Sequence, residues 1–169
     1  MLGRMRVRGR PAAAGAAFLA LFALSLVLFL LSPSVRVRRV LFFPSTETRG
    51  EPGNAARLIA EERFLPRHRD ADRDVRELVD AALLGPAQHG EAPLFPSATT
   101  VRVLMVRRGV LYVDLAASAA IPDPLAPLPL GEAAAALSRA IRFNFRRIRE
   151  IAFTVDGQLP KGMAGGKKR

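Results

Sequence analysis

From Ala12 to Leu31 the chain runs for 20 residues without a charge, and Phe18 to Leu31 is almost entirely Leu, Phe, Val and Ala. At about 1.5 Å of rise per residue, a helix of this length reaches ~30 Å, the hydrocarbon thickness of a bilayer. A buried soluble helix of the same length keeps a polar stripe, and this segment has none. A cleavable signal peptide shares the order of basic then apolar residues, but its apolar stretch is shorter and ends at a small-residue site. Here the exit reads Leu30-Leu31-Ser32-Pro33-Ser34, with no A-x-A pattern, and the chain has no cysteine for a lipid anchor. The segment is expected to be an uncleaved signal anchor, a single transmembrane helix over residues 12–31.

The net charge of +11 suggests a nucleic-acid binder until it is divided by region. Arg4, Arg6, Arg8 and Arg10 precede the apolar stretch, and Lys161, Lys167, Lys168 and Arg169 close the chain, so the two ends carry +8. Between them only about +3 remains. With no Trp and one Tyr there are few platforms for base stacking, and nucleic acid is not an expected partner. Four arginines before the span against Arg36, Arg38 and Arg39 after it place the amino terminus inside and the rest outside the cytoplasmic membrane. The chain thus divides into a basic cytoplasmic leader (1–11), the anchor (12–31), a linker (32–38), one folded domain (39–157) and a basic flexible tail (158–169). Without cysteines, packing alone must hold that domain in an oxidising compartment.

Arg39 to Phe43 predicts a short strand ended by Pro44-Ser45-Thr46, with apolar residues on both sides. Asn54 to Leu65 fits a helical period slightly better than a strand. Val75, Leu78, Val79, Ala82 and Leu83 recur at i, i+3, i+4, i+7 and i+8, one face of a helix. Asp74 with Glu77 resembles a capping box at its start, and Gly85-Pro86 supplies the stop. Thr99–Val106 and Val110–Leu115 alternate as strands around Arg107-Arg108-Gly109, a hairpin in which Gly109 is available for positive φ. Four prolines between Ile121 and Leu130 require an extended connector. Gly131–Asn144 predicts a second helix with Leu137, Ile141 and Phe145 on one side, and Glu150–Val155 a last strand before an Asp156-Gly157 turn. This order describes an α+β domain of the split βαββαβ kind, a small antiparallel or mixed sheet with two helices packed on one face.

Nothing in the sequence marks an enzyme, a cofactor or a metal. Asp70-x-Asp72-x-Asp74 invites calcium, but the glycine needed at the sixth position is Val75 and the acid needed at the twelfth is Ala81. His68 and His89 fall in separate loops without a metal partner in register. No serine stands in a G-x-S-x-G or S-x-x-K context, and no glycine loop precedes a helix to cradle phosphate. One constellation is sharper: Arg139, Arg142, Arg146 and Arg149 fall at i, i+3, i+7 and i+10. If the second helix runs through Arg149, they form an outward stripe that could meet anionic lipid, an acidic envelope polymer or an acidic partner.

In order and spacing, five segments resemble the GerMN domain of spore germination and sporulation proteins. They are Val40-Leu41-Phe42-Phe43, Leu83-Leu84-Gly85-Pro86, Phe95-Pro96 leading to Val101, Gly109 to Leu115, and Phe153-Thr154-Val155-Asp156-Gly157. The similarity spans about residues 39–157, as one copy. It implies an extra strand near 58–64 where periodicity alone prefers helix. It also implies a non-enzymatic envelope module that mediates protein–protein interaction or self-association, with no catalytic residues to carry over. The alternative from the residues themselves is a binding module for an anionic envelope ligand, a wall polymer or lipid headgroups.

Overall fold

The computed structural model describes residues 10–31, 35–47 and 57–160. Residues 1–9 of the predicted leader, 32–34 of the linker and 161–169 of the tail lie outside the described residues. The chain divides into two compact units, Met1–Val35 and Arg36–Arg169. The first contains one helix, α1 (Arg10–Leu31, 22 residues). Side chains are described for 15–28 of it, and every large apolar one there, from Phe18 to Leu28, is exposed. Among the described residues no helix is long and apolar enough to cross a membrane; residues 15–28 alone fall short of the ~20 a span requires.

The second unit opens with β1 (Arg36–Pro44), which pairs antiparallel with β2 (Leu58–Pro66). Then come α2 (Ala71–Leu83), the hairpin of β3 (Val101–Arg107) and β4 (Val110–Leu115), and a 3-10 turn over Ala117–Ala120. After the proline connector follow α3 (Leu130–Asn144) and β5 (Glu150–Val155), which returns parallel to β4. The unit is α+β, as the pattern requires, but its strands form two sheets, β1-β2 and β3-β4-β5, where one was expected. The reason lies at the outer edge of β1. Asn144, at the end of α3, accepts the Val40 N–H at Oδ1 (3.0 Å) and donates from Nδ2 to the Val40 carbonyl (2.7 Å). A side chain thus takes the backbone groups through which another strand would join.

The core lies between the sheets and the two helices. Val75, Leu78, Val79 and Ala82 of α2 are buried, as their spacing predicts. On α3 the buried face is small (Ala133, Ala134, Ala136, Ala140) around Leu137 and Ile141, so the helix can approach β1 closely. Leu41 and Phe43 are fully buried on one side of β1 and Val40 and Phe42 nearly so on the other, which explains a strand apolar on both sides. Over the described part of 54–65 β2 stands where periodicity prefers a helix, in agreement with the family resemblance, while residues 54–56 lie outside the described residues.

One end of the first domain helix differs from expectation. The first domain helix begins at Ala71, with Asp70 at its N-cap position making no side-chain cap bond. Asp74 is therefore not a cap. It sits in the first turn, and its carboxylate binds Arg39 Nη2 (2.6 Å) and the His68 N–H (3.0 Å). At the other end Gly85 takes φ +86°, the left-handed turn expected of it.

The hairpin closes through Arg108 (φ 50°) and Gly109 (φ 82°). Gly109 also fixes the start of β5, since its carbonyl accepts the Arg149 N–H at 2.8 Å. A Cβ on Gly109 would stand 3.2 Å from the Arg147 carbonyl oxygen. Gly109→Ala is expected to destabilise the domain by about 1–2 kcal/mol through left-handed strain and this contact. Urea unfolding followed by circular dichroism measures it, and a change below a few tenths of a kcal/mol rejects the turn as a constraint.

Candidate functional site

Among the described residues no group of three or more His, Asp and Glu side chains could hold a metal ion. The three alternate aspartates go separate ways. Asp70 lies 3.9 Å from Arg73, Asp72 accepts the Val106 N–H (2.8 Å), and Asp74 serves Arg39 and His68. His68 lies 3.3 Å from Glu77, and His89 is exposed in a loop before β3.

The four arginines of the predicted stripe do not share a helix face. α3 ends at Asn144, and Phe145 leaves helical geometry (φ −128°, ψ 80°). The Asn144 amide contributes to that ending by donating to the Ala140 carbonyl (2.7 Å) while it binds β1. Arg139 and Arg142 remain on α3, Arg146 falls in the turn beyond it, and Arg149 precedes β5 with its N–H on Gly109. Phe145, predicted on the helix's inner side, instead lies half-buried under the Arg39 guanidinium, 4.3 Å from its ring centre.

Arg139 and Arg142 border an open groove of roughly 820 Å³ between α3 and β5. Its helical wall is small-sided (Gly131, Ala134, Ala135, Ser138), its other wall is Ile151 to Phe153, and Leu159 also lines it. Phe143 and Leu159 are 61% and 67% exposed there, so the groove presents apolar surface beside charge. Arg139 stacks 4.5 Å above the Phe42 ring, which meets Phe143 edge-on at 6.0 Å. β5 is an edge strand. The N–H groups of Glu150 and Asp156 point to Gly109 and Leu115 on the β4 side, so the period of two turns those of Ile151 and Phe153 outward. The groove therefore offers an unpaired strand edge, two apolar side chains and two guanidiniums, a set suited to binding an extended chain.

Two polar clusters escaped the sequence pattern. Asp114 on β4 accepts Thr154 Oγ1 (2.6 Å) and the Gly157 N–H (2.9 Å), joining two of the segments that carry the family resemblance. The Thr154 bond foremost, then Gly157, hold its carboxyl below the usual carboxylate range. The second cluster is buried: Glu61 of β2 is ion-paired with Arg63 and accepts the Ala87 N–H (2.8 Å). Burial pushes the Glu61 carboxyl up, but the Arg63 and Ala87 hydrogen bonds with the Arg63 charge outweigh it, and the net direction is down.

Glu91 shares this cluster and moves the other way, raised by burial and then by the charge and hydrogen bond of Glu61, and among the described residues its Oε2 is buried without a donor. Because its folded value exceeds the unfolded one of about 4.5, the unfolded chain ionises first and stability falls as pH rises through that window. Glu91→Gln removes this loss and supplies an amide donor. The variant is expected to match the parent near pH 4 and exceed it at pH 7 by about 1 kcal/mol, the scale of one unsatisfied buried group. Thermal melts at the two pH values check this, and an equal shift at both rejects the ionisation account.

A small α+β module whose accessible features are an open groove and charged surface, with no assembled catalytic group among the described residues, is the class this unit defines. The chain belongs to the Germane family, described as sporulation and spore germination, which matches residues 40–160. Its fold is similar to the first GerMN domain of the sporulation protein GerM from Bacillus subtilis. That match has 16% identity and a TM-score of 0.52, covering 77% of this chain and 90% of that one. It is similar also to the tandem GerMN domains of the same protein, at 11% identity and a TM-score of 0.51, covering 75% of this chain and 41% of that one. No curated protein sequence matches the chain.

Proposed function

We propose that the chain is a non-enzymatic, single-pass envelope protein whose extracytoplasmic domain mediates protein–protein interaction or assembly, in a sporulation, germination or other envelope complex. The observation that carries the docking role is the α3–β5 groove, where an unpaired strand edge lies beside exposed Phe143 and Leu159 and the guanidiniums of Arg139 and Arg142. A partner segment of extended, acidic character suits it, the backbone edge giving affinity and the arginines selecting charge. For anchoring, the support is the uncharged stretch Ala12–Leu31 within α1, and for direction the arginine excess before it.

Crosslinking in intact membranes tests the docking role. Arg139→Glu with Arg142→Glu is expected to lower recovery of the crosslinked species at least roughly tenfold, the effect of about 1.4 kcal/mol. Recovery of monomer alone from the parent chain, or an unchanged pattern in the variant, rejects it. Topology is separately testable by protease attack on the carboxy-terminal tail. Cleavage in whole cells but not in inverted vesicles is expected, and the reverse overturns the orientation.

A further inference from the structure

Beside the end of α3 lies a second concave surface, of roughly 810 Å³, whose charge is one-sided. Arg67 and Arg69 reach it from the loop after β2, and Arg146 and Arg147 from the turn between α3 and β5. All four are exposed, and none has an acidic partner among the described residues. Asp74 also lines the basin, but both its oxygens are occupied, one by Arg39 Nη2 at 2.6 Å and one by the His68 N–H at 3.0 Å. The neighbouring acids are engaged as well, Glu77 with His68 and Asp72 with the Val106 N–H. Four guanidiniums therefore surround one cavity with little to neutralise them. Folding brings together two basic runs about eighty residues apart in sequence, an arrangement that raises self-repulsion and is stabilised by an anion.

We infer that this basin binds a phosphate-bearing anion. Arginine forks match phosphate oxygens in pairs, and four of them around one cavity fit a phosphate better than a lone carboxylate. Val37 and Val106 in the lining add apolar surface, which lowers the local dielectric and strengthens the attraction. The phosphate can come from a lipid headgroup or from a free phosphate compound, since the chemistry presented to the arginines is shared. The basin meets the α3–β5 groove at Phe143 but shares none of its arginines, because Arg139 and Arg142 line the groove and not the basin.

Isothermal titration of the full chain in uncharged dodecyl maltoside micelles with sodium pyrophosphate tests the site. Saturable binding is expected at low salt and is expected to weaken at least roughly tenfold when salt is raised several-fold. The pair Arg146→Glu and Arg147→Glu, and separately Arg67→Gln and Arg69→Gln, should each weaken it by at least about tenfold. Should the first pair unfold the domain, the second, at exposed loop positions, still decides. Arg139→Glu with Arg142→Glu should leave pyrophosphate affinity unchanged, so failure of the docking groove and failure of the basin are distinguishable. Adding phosphatidylglycerol to the micelles assigns the source: competition with pyrophosphate identifies a headgroup, and its absence a free phosphate. No binding by the parent chain, undiminished binding in both basin variants, or equal loss in all three pairs overturns the proposal.

Discussion

Replacing Arg63 by Met is expected to lower the unfolding free energy of the domain by about 3–5 kcal/mol, the range for breaking a buried ion pair from one side. Arg63 is 16% exposed and its partner Glu61 only 2%. The guanidinium does more than neutralise the carboxylate. It donates to the carbonyls of Ala81 (2.8 Å) and Gly85 (2.6 Å) at the end of α2, and it lies 5.5 Å from the Phe43 ring centre. Methionine keeps the stem's packing but leaves an ionised Glu61 in the core and two helix-end carbonyls without this donor. The double variant Glu61→Leu with Arg63→Met should recover a large part of the loss, because it is the orphaned charge and not the missing pair that costs most. Chemical denaturation of the three variants measures both effects. A single-variant loss below about 1 kcal/mol would place the pair among inconsequential surface bridges. The depressed Glu61 carboxyl gives a linked expectation: its contribution is present above its unfolded value of about 4.5 and is lost as pH falls through the lower folded value.

Asn144→Ala is the second large effect, a loss of about 2–3 kcal/mol. Its amide serves both backbone groups of Val40 and the Ala140 carbonyl, at 2.7 to 3.0 Å. Alanine is the better helix former, so propensity alone predicts a gain of a few tenths of a kcal/mol. The opposite sign is expected because both backbone groups of Val40 lose their partner at once, while the Ala140 carbonyl keeps its helical bond. Hydrogen exchange provides the sharper readout: the Val40 amide should lose protection far more than amides in β4, and uniform loss would show global destabilisation without a role at the β1 edge.

Legibility in the sequence followed the range of the interactions. α2, the hairpin and β5 were readable because the residues that define them lie within about ten positions of one another. β2 was not, because its inward face is carried by Glu61 and Arg63 while Phe64, its largest apolar side chain, is 66% exposed. A hydrophobic pattern inverts where a paired charge holds the interior, and only the family resemblance recovered the strand. The arginine stripe failed for a related reason. Its spacing is helical throughout, but the helix terminates where Asn144 finds a better use for its side chain in a strand 104 positions away. Arg67, Arg69, Arg146 and Arg147 stood in plain view as basic runs, with no local signal that they would share a cavity.

By itself, the sequence determined an unbroken apolar helix at the amino end, an α+β order of elements behind it and most element boundaries, since these depend on charge, periodicity and turn chemistry close along the chain. The tertiary structure alone decided that the strands part into two sheets, that a charged pair is buried, and that two arginines border a groove while others meet in a basin. Those outcomes depend on which distant groups satisfy one another's hydrogen bonds and charges, and spacing along the chain does not record that.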